Sequence, residues 1–406
     1  MEKKICVKNG NKLVASEFVS FGHPDKIADQ IADALLDEFL FFDNDTRAGI
    51  EVMVKDNIVV LGGEVNSNAT VDYDRVVRMV YSNLNFPENH HLSPSEIKII
   101  NLIGKQSEEI HSGVDKGEDI GAGDQGFMVG YASNETSTYM PLGHYIAKTI
   151  CNYVSHQDSW GPDTKTQVII EYDDNKKAVG IHSILVSTMH QCSLECVREC
   201  VELAIRNNLV RLDEDIFDNF IRDKKVKIDV NPCGSWKIGG PVSDCGVTGR
   251  KLVVDAYGGY CNIGGGNFSG KDLSKVDRSG AYMARYLAKN IVASGFCDTC
   301  RVTLSYMIGV AQPCSIEIDV NRNHKNLPRL KEWIINNVDL TPKSFINRFY
   351  KKENVSVQFY DTSRYGHFGV EDELTGTYGE NDLPLITWDY YPWENLDLVK
   401  DLFQFA

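Results

Sequence analysis

The sequence predicts an α+β fold of three structurally related modules, each a small mixed sheet with helices covering one face. Three observations carry this. Hydrophobic spacing switches repeatedly between the helical and the strand period. The order helix, hairpin, helix, strand occurs once, recurs, and then appears a third time in part. At 406 residues the chain has room for about two to four domains and a substantial core.

In the first module, Asp25 to Leu40 places Ile27, Ile31, Leu35, Leu36, Phe39 and Leu40 at helical spacing, with Asp29, Asp33 and Asp37 along another face, so an amphipathic helix is expected. Gly49 to Val54 and Ile58 to Val65, rich in Val and Ile around Lys55-Asp56-Asn57, read as a hairpin. A helix over Asp74 to Leu84 and a strand over Ile97 to Ile103 follow. The second module repeats this with a helix from Tyr139 to His156, a hairpin from Thr166 to Tyr172 and Ala178 to Thr188, a helix from Leu194 to Asn207, and a strand from Val226 to Val230. The third supplies a strand from Arg250 to Tyr257, a helix from Lys275 to Ser294, strands from Arg301 to Ile308 and Ser315 to Val320, and a helix from Leu327 to Asn337. The expected units are 1–110, 111–236 and 237–406. Two connections, Gly104 to Gly126 and Gly258 to Lys271, are long, Gly-rich and polar, as lids and phosphate-approaching loops are. The tail beyond Phe368 is acidic and aromatic, and its apolar end, Leu396 to Phe405, is expected to dock as a short helix.

Composition narrows the function classes. Lys+Arg of 42 against Asp+Glu of 57 gives a net charge of −15, which argues against non-specific binding to nucleic acid or anionic membrane. Met1 to Phe18 has no continuous apolar core, so neither a signal peptide nor a spanning segment is read there and a cytoplasmic address is expected. Eleven cysteines then read as reduced thiols. Cys192, Cys196 and Cys200 share one helix face and are expected to fill core, and the single C-x-x-C at Cys297 and Cys300 lacks a second pair for zinc.

Against this acidic background the cationic runs stand out. Lys271, Lys275 and Arg278 gather at a helix start, where they oppose the helix dipole unless an anion neutralises them. The choice is a polyphosphate ligand or side chains pointing into water. Gly265 to Lys271 fits G-x-x-x-x-G-K, but Asp272 stands where a P-loop has Ser or Thr. Ser274 and Asp277 have the spacing of a capping box. Gly249-Arg250-Lys251, before an apolar strand, and Pro162-Asp163-Thr164-Lys165, entering another, add charge. In Gly22-His23-Pro24-Asp25-Lys26, Pro24 suits a helix start. His23 there could hydrogen-bond or protonate a departing oxygen, and Asp25 could hold Mg²⁺; the alternative is a plain helix entry. Glu51 and Glu64 either alternate to a solvent face or need partners inside their strands. Asp124 and Gln125 lie on a Gly-permissive backbone that would also suit a tight turn.

The strings GHPDKIADQIADALLD, GGE at Gly62 to Glu64, IGKQS at Ile103 to Ser107, GAGDQG, PDTKTQV, IGGPVSDCGVTGRK and FSGKDLSKVDRS, in this order, resemble the S-adenosylmethionine synthetases, or methionine adenosyltransferases. The resemblance runs from Ser16 to Phe368. It implies a pseudo-threefold α+β architecture and a reaction in which ATP, L-methionine and water give S-adenosylmethionine, phosphate and pyrophosphate. It further implies that His23 stabilises the leaving oxygen, with Lys165, Arg250 and Lys271 also catalytic. Asp163, Lys165, Ser235, Trp236, Asp244, Arg250, Lys251, Asn267 and Lys271 would contact the nucleotide. Glu64, Gln106, Asp124, Asp244 and Lys275 would contact methionine. Asp25 and Asp277 would hold two Mg²⁺ per site, and Glu51 one K⁺ per subunit. Gly104 to Gly121 would be a gate that excludes water. A homodimer or dimer of dimers with shared active sites is implied as well.

The chain departs from that pattern at Phe21, where an acid is common, at Ser235, where an Arg precedes the aromatic, and at Ile263, where a His is common. Asn267 replaces a small Ala and Leu273 a Pro. These departures motivate one alternative, a weak or regulatory nucleotide-binding homologue. A second alternative is a P-loop NTPase with Leu252-Val253-Val254-Asp255 as its Walker B strand, which Asp272 and the motif order oppose.

Overall fold

A computed structural model describes residues 11–90, 92–105, 120–157, 160–322, 324–350, 358–370 and 391–406. Gln106, most of the expected gate and the tail between 371 and 390 lie outside the described residues.

Strand β1 (Lys12–Val19) leads into helix α1 (Pro24–Phe42), the hairpin β2 (Arg47–Lys55) and β3 (Ile58–Asn66), helix α2 (Tyr73–Ser82), and strands β4 (Lys98–Asn101) and β5 (Gly104–Lys105). After β6 (Gly126–Ser133) come α3 (Leu142–Ser155), the long hairpin β7 (Trp160–Tyr172) and β8 (Ala178–His190), α4 (Leu194–Arg206), α5 (Glu214–Phe220) and β9 (Lys227–Val230). The last stretch holds β10 (Gly246–Val247), α6 (Leu252–Asp255), α7 (Val276–Ala293), β11 (Thr299–Tyr306), β12 (Ser315–Val320), α8 (Leu327–Asn337), α9 (Pro342–Phe349), α10 (Phe359–Tyr365) and α11 (Val399–Leu402). The α+β class and the three-sheet repeat expected from element order are both present.

The described strands form three sheets, ordered β1-β7-β8-β9, β10-β2-β3-β4 with β5 beside β3, and β12-β11-β6. Each takes one strand from a distant stretch of chain. β1 pairs antiparallel with β7, from Lys12 against Tyr172 to Val19 against Lys165. β6 pairs with β11 from Ser133 against Thr299 to Gly126 against Tyr306, and β10 pairs with β2. Each borrowed strand covers a sheet edge that would otherwise present unpaired N–H and C=O groups. This exchange brings the functional loops together, because the chain enters and leaves each sheet beside another one. Alternation buries one face of each hairpin: Ile50, Val52, Val54, Val59 and Leu61 are buried on the face that α1 covers, and α2 packs against α1. α3 covers β1 and β7, and α7 covers β6 and β11.

Three local expectations fail. Arg250 to Tyr257 is no strand: Leu252–Asp255 is one helical turn, and Asp255 is buried against Lys26, so no Walker B strand exists there. An apolar run of this length does not distinguish strand from helix. Cys196 and Cys200 do not fill core but are exposed, because α4 buries Val197, Val201, Ala204 and Ile205 instead. The capping box does not form, since Lys275 is the N-cap of α7 and makes no side-chain capping bond, and Asp277 is engaged elsewhere. Sequence reading also missed β1, β6, α5, α9 and α10, which are short or lack a clean period.

The C-terminal segment docks as expected and anchors the core. Trp393 stacks on Tyr282 with ring centroids 3.8 Å apart, and its Nε1–H donates to the His367 carbonyl at 2.8 Å. Buried Glu394 accepts from Arg285 Nη2 at 2.9 Å and pairs with Lys289 at 2.7 Å. Burial alone would raise its pKa, but the charges of Arg285 and Lys289 outweigh that and hold it down to about 2, below the ordinary 4.5. Its stabilising contribution is therefore complete above pH 4.5 and lost as pH falls toward 2. Denaturation in this acid window should be steeper for the native chain than for Glu394→Gln, and parallel slopes would remove Glu394 as the source. No helix among the described residues is long and apolar enough to cross a membrane.

Candidate active site

The site is built on the start of α1. His23 is its N-cap in extended backbone geometry, with Pro24 in the first turn, and His23 Nδ1 accepts the Asp25 backbone N–H at 3.1 Å. That bond makes Nδ1 an acceptor and leaves the proton on Nε2. Burial, then the neighbouring Lys251 charge, lowers the His23 pKa to about 4, against the opposing pull of Asp25. His23 is thus a neutral hydrogen-bond donor at physiological pH. Of the two roles open to it from sequence, hydrogen bonding and protonation, this environment favours the first.

Asp25 is 1% exposed. Its Oδ1 accepts the Val247 N–H at 2.9 Å and its Oδ2 accepts from Lys251 Nζ at 2.6 Å, with Arg250 Nη1 3.7 Å away. Burial would raise this carboxyl, but the Lys251 hydrogen bond and the Val247 N–H lower it below its ordinary value. The other aspartates of α1 continue the pattern at one-turn intervals. Asp29 accepts the Gly249 N–H at 2.9 Å, Asp33 the Gly270 N–H at 2.8 Å, and Asp37 the N–H groups of Phe359 and Tyr360, both at 2.8 Å. Asp25, Asp29 and Asp33 are buried and Asp37 partly so, and the stripe fixes backbone more than 200 residues away in sequence. Lys26 Nζ sits between Asp29, at 3.0 Å, and Asp255, at 2.5 Å.

The loop from Gly264 to Lys275 runs beside β2, where the Ile50 N–H donates to the Gly270 carbonyl at 2.9 Å and the Ala48 N–H to Asp272 Oδ2 at 2.8 Å. Asp272 therefore anchors the loop to the sheet. Lys271 Nζ lies 2.6 Å from Asp277 Oδ2, and Lys275 Nζ 2.5 Å from Asp272 Oδ2. Arg278 differs from both: it is fully buried and bidentate on Asp33, with Nη1 at 2.7 Å and Nη2 at 3.1 Å. Of the three cations at this helix start, Arg278 belongs to neither reading made from sequence, ligand or solvent. Gly249, with φ of +76°, and Gly266 let the two loops close up. A Cβ at Gly249 would lie 2.5 Å from Asn267 Cβ, and one at Gly266 2.1 Å from Asp277 Cγ. Asn267 Nδ2 is 3.2 Å from Glu51 Oε1, which faces outward on β2.

On the other side, Asp163 is buried on β7 with Oδ2 accepting the Gly240 N–H at 2.7 Å, while Oδ1 has no hydrogen-bond partner. Burial, together with the Asp244 charge, pushes its pKa up to about 7 despite the Gly240 bond. Lys165 is half exposed and pairs with Glu17 of β1 at 2.8 Å, a partner not singled out from sequence. Trp236 and Ser235 lie at the end of β8, where His190 Nε2 is 3.2 Å from the Trp236 nitrogen and 3.3 Å from Ser235 Oγ. Asp244 is exposed and accepts the Cys245 N–H at 2.7 Å. The charges of Lys251, Asp25, Lys165 and Asp244 all act on His23, so these residues form one cluster. Glu64 and Asp124 are exposed, and among the described residues no ion pair joins them to it.

Two of the substitutions have a local explanation. Phe21 is 5% exposed and packs into the core, with the His156 ring at 5.0 Å and the Arg364 guanidinium over its face at 5.1 Å. Ile263 is part-buried against the main core. Phe21 thus fills a buried position.

The arrangement gathers cations that each hold a carboxylate: Lys165 with Glu17, Lys251 and Arg250 with Asp25, and Lys271 with Asp277. A polyanion could draw these lysines away and free the carboxylate oxygens. Among the described residues no three His, Cys, Asp or Glu side chains converge on a metal position. Isolated carboxylates suit Mg²⁺, which is commonly held by one or two of them plus phosphate oxygens and water.

Family models for the N-terminal, central and C-terminal domains of S-adenosylmethionine synthetase match residues 11–108, 119–236 and 238–377. The chain is 36% identical over 404 residues to the S-adenosylmethionine synthase of Borreliella afzelii, covering 97% of each chain. It is 39% identical over 424 residues to that of Thermosynechococcus vestitus, covering 96% of this chain and 97% of the other. A solved structure described as an unusual S-adenosylmethionine synthetase from Campylobacter jejuni superposes with a TM-score of 0.83 at 36% identity, covering 97% of this chain and 99% of that one.

Proposed function

Because the chain belongs to the S-adenosylmethionine synthetase family, we propose that it makes S-adenosyl-L-methionine from ATP and L-methionine. In this reading the methionine sulfur attacks the ribose 5′ carbon, the S–C bond forms, and the C–O bond pair leaves with the triphosphate. Water then cleaves the triphosphate to phosphate and pyrophosphate. The observation that carries the reading is a neutral His23, with its proton on Nε2, beside the charges of Lys251 and Lys165.

The leaving oxygen gains charge as its bond breaks, and catalysis requires donors already aimed at it. His23 donates its Nε2–H there, while Lys165, Arg250, Lys251 and Lys271 give up their carboxylate partners to the phosphates. Asp163, whose buried Oδ1 lacks a partner, accepts from a ribose hydroxyl, and Trp236 offers a face to the base. Asp25 and Asp277, released from lysine, would hold Mg²⁺, which would neutralise phosphate charge. Lys275, Asp244, Glu64 and Asp124 would contact methionine, and the family resemblance assigns Gln106 to the same role.

The latter group is completed across a dimer interface. The outer face of β2, β3 and β4 supports this: Met53, Ile58 and Ile100 are 41%, 39% and 47% exposed there, an apolar surface that a second copy would cover. Light scattering should then give at least a dimer.

The decisive assay supplies ATP, Mg²⁺ and L-methionine to the purified chain and follows S-adenosylmethionine, phosphate and pyrophosphate together. Equal, methionine-dependent release of all three is expected. ATP hydrolysis that ignores methionine would overturn the reading, and folded protein that binds ATP without forming product would favour the regulatory homologue.

A further inference from the structure

Asn267 occupies a position where its side chain changes the chemistry of Glu51. Its Nδ2 lies 3.2 Å from Glu51 Oε1 and 3.2 Å from the Ser269 carbonyl oxygen. A carboxamide nitrogen carries two hydrogens, so each oxygen receives one. The geometry is held from three sides. The Gly270 carbonyl receives the Ile50 N–H, which fixes Ser269 beside β2. Gly62 lies opposite Glu51 in the β2–β3 register, so no side chain intervenes from that strand. Gly249 abuts Asn267 Cβ so closely that only hydrogen fits there.

A carboxylate and a backbone carbonyl converging on one point are what a large monovalent cation needs, since carbonyl and carboxylate oxygens replace its hydration shell. Here that point is filled by an amide nitrogen. With its nitrogen on both oxygens, the Asn267 carboxamide occupies the position of the K⁺ that the family resemblance assigns to Glu51. The amide supplies the same two contacts through its hydrogens.

We propose that the Asn267 carboxamide takes the place of a monovalent cation between Glu51 and Ser269, so that this chain neither binds nor requires K⁺ there. With Ala at this position, the two oxygens would face each other unbridged and a cation would be favoured. The activity half of the test rests on the proposed function, whereas the binding half does not.

The full chain is compared with Asn267→Ala, with Tl⁺ as the K⁺ surrogate, read by thallium NMR and calorimetry. Initial rates are measured in K⁺ and in tetramethylammonium at equal ionic strength. The native chain should show no saturable Tl⁺ binding and less than about a twofold rate difference between the salts. Asn267→Ala should gain saturable Tl⁺ binding and lose about tenfold in rate without K⁺, recovered on adding it. Saturable Tl⁺ binding to the native chain that Glu51→Gln abolishes would overturn the proposal. So would an Asn267→Ala protein that folds, by circular dichroism, yet remains blind to Tl⁺. If no S-adenosylmethionine forms in any salt, the function reading fails while the Tl⁺ result still decides this one.

Discussion

Arg278→Met should destabilise the chain by about 3–5 kcal/mol, measured by urea denaturation, because it strands the buried Asp33 carboxylate. Both side chains are 0% exposed, so water cannot compensate. Arg278 also donates to the Lys271 carbonyl at 3.1 Å, to Thr362 Oγ1 at 3.0 Å and, through Nε, to the Tyr282 hydroxyl at 2.9 Å. Tyr282 continues the chain of contacts to His367 Nδ1 at 2.7 Å. One guanidinium thus joins α1, the Lys271 loop and α10. Arg278→Lys should rescue little, since an ammonium cannot reproduce the bidentate pair. A loss under about 1 kcal/mol for Arg278→Met would show that the pair is not the anchor inferred from its burial.

His23→Ala should lower the rate of adenosyl transfer by roughly 10²–10³-fold, the usual effect of removing one preorganised donor to a developing oxyanion. Hydrolysis of added triphosphate should fall much less. His23 is also an N-cap, and losing a cap costs about 0.5–2 kcal/mol. His23→Asn separates the two roles: Asn caps well, so the fold should be kept while transfer remains slow. The pH dependence gives an independent check. With its pKa near 4, His23 stays neutral as pH falls through 6.5, so its protonation should produce no limb there. A limb near 6.5 that vanishes in His23→Asn would make the imidazolium the catalytic form.

Much of the fold was legible. The Ile and Leu spacing of α1, the Val-rich hairpin flanking Asp56 and the helix from Val276 all lie close to where their periodicity put them. What failed was short or edge-dependent. β1 and β6 form because β7 and β11 offer edges to them, and those edges lie far away in sequence. The run from Leu252 to Asp255 became a helical turn because Asp255 turns inward to Lys26.

The sequence by itself determined the residue types and their order: a His-Pro helix start, paired cations before and within the glycine loops, and enough motif to place the chain in its family. Only the tertiary structure decided which charges serve the site and which serve the fold. Lys271 and Arg278 are both cations near one helix start, yet one holds a partly exposed carboxylate and the other is sealed against Asp33. Likewise Asp25, Asp29, Asp33 and Asp37 are equivalent by spacing, but each meets a different distant backbone N–H. The worth of a charge depends on its desolvation and its partner, and both are fixed by contacts that local sequence does not encode.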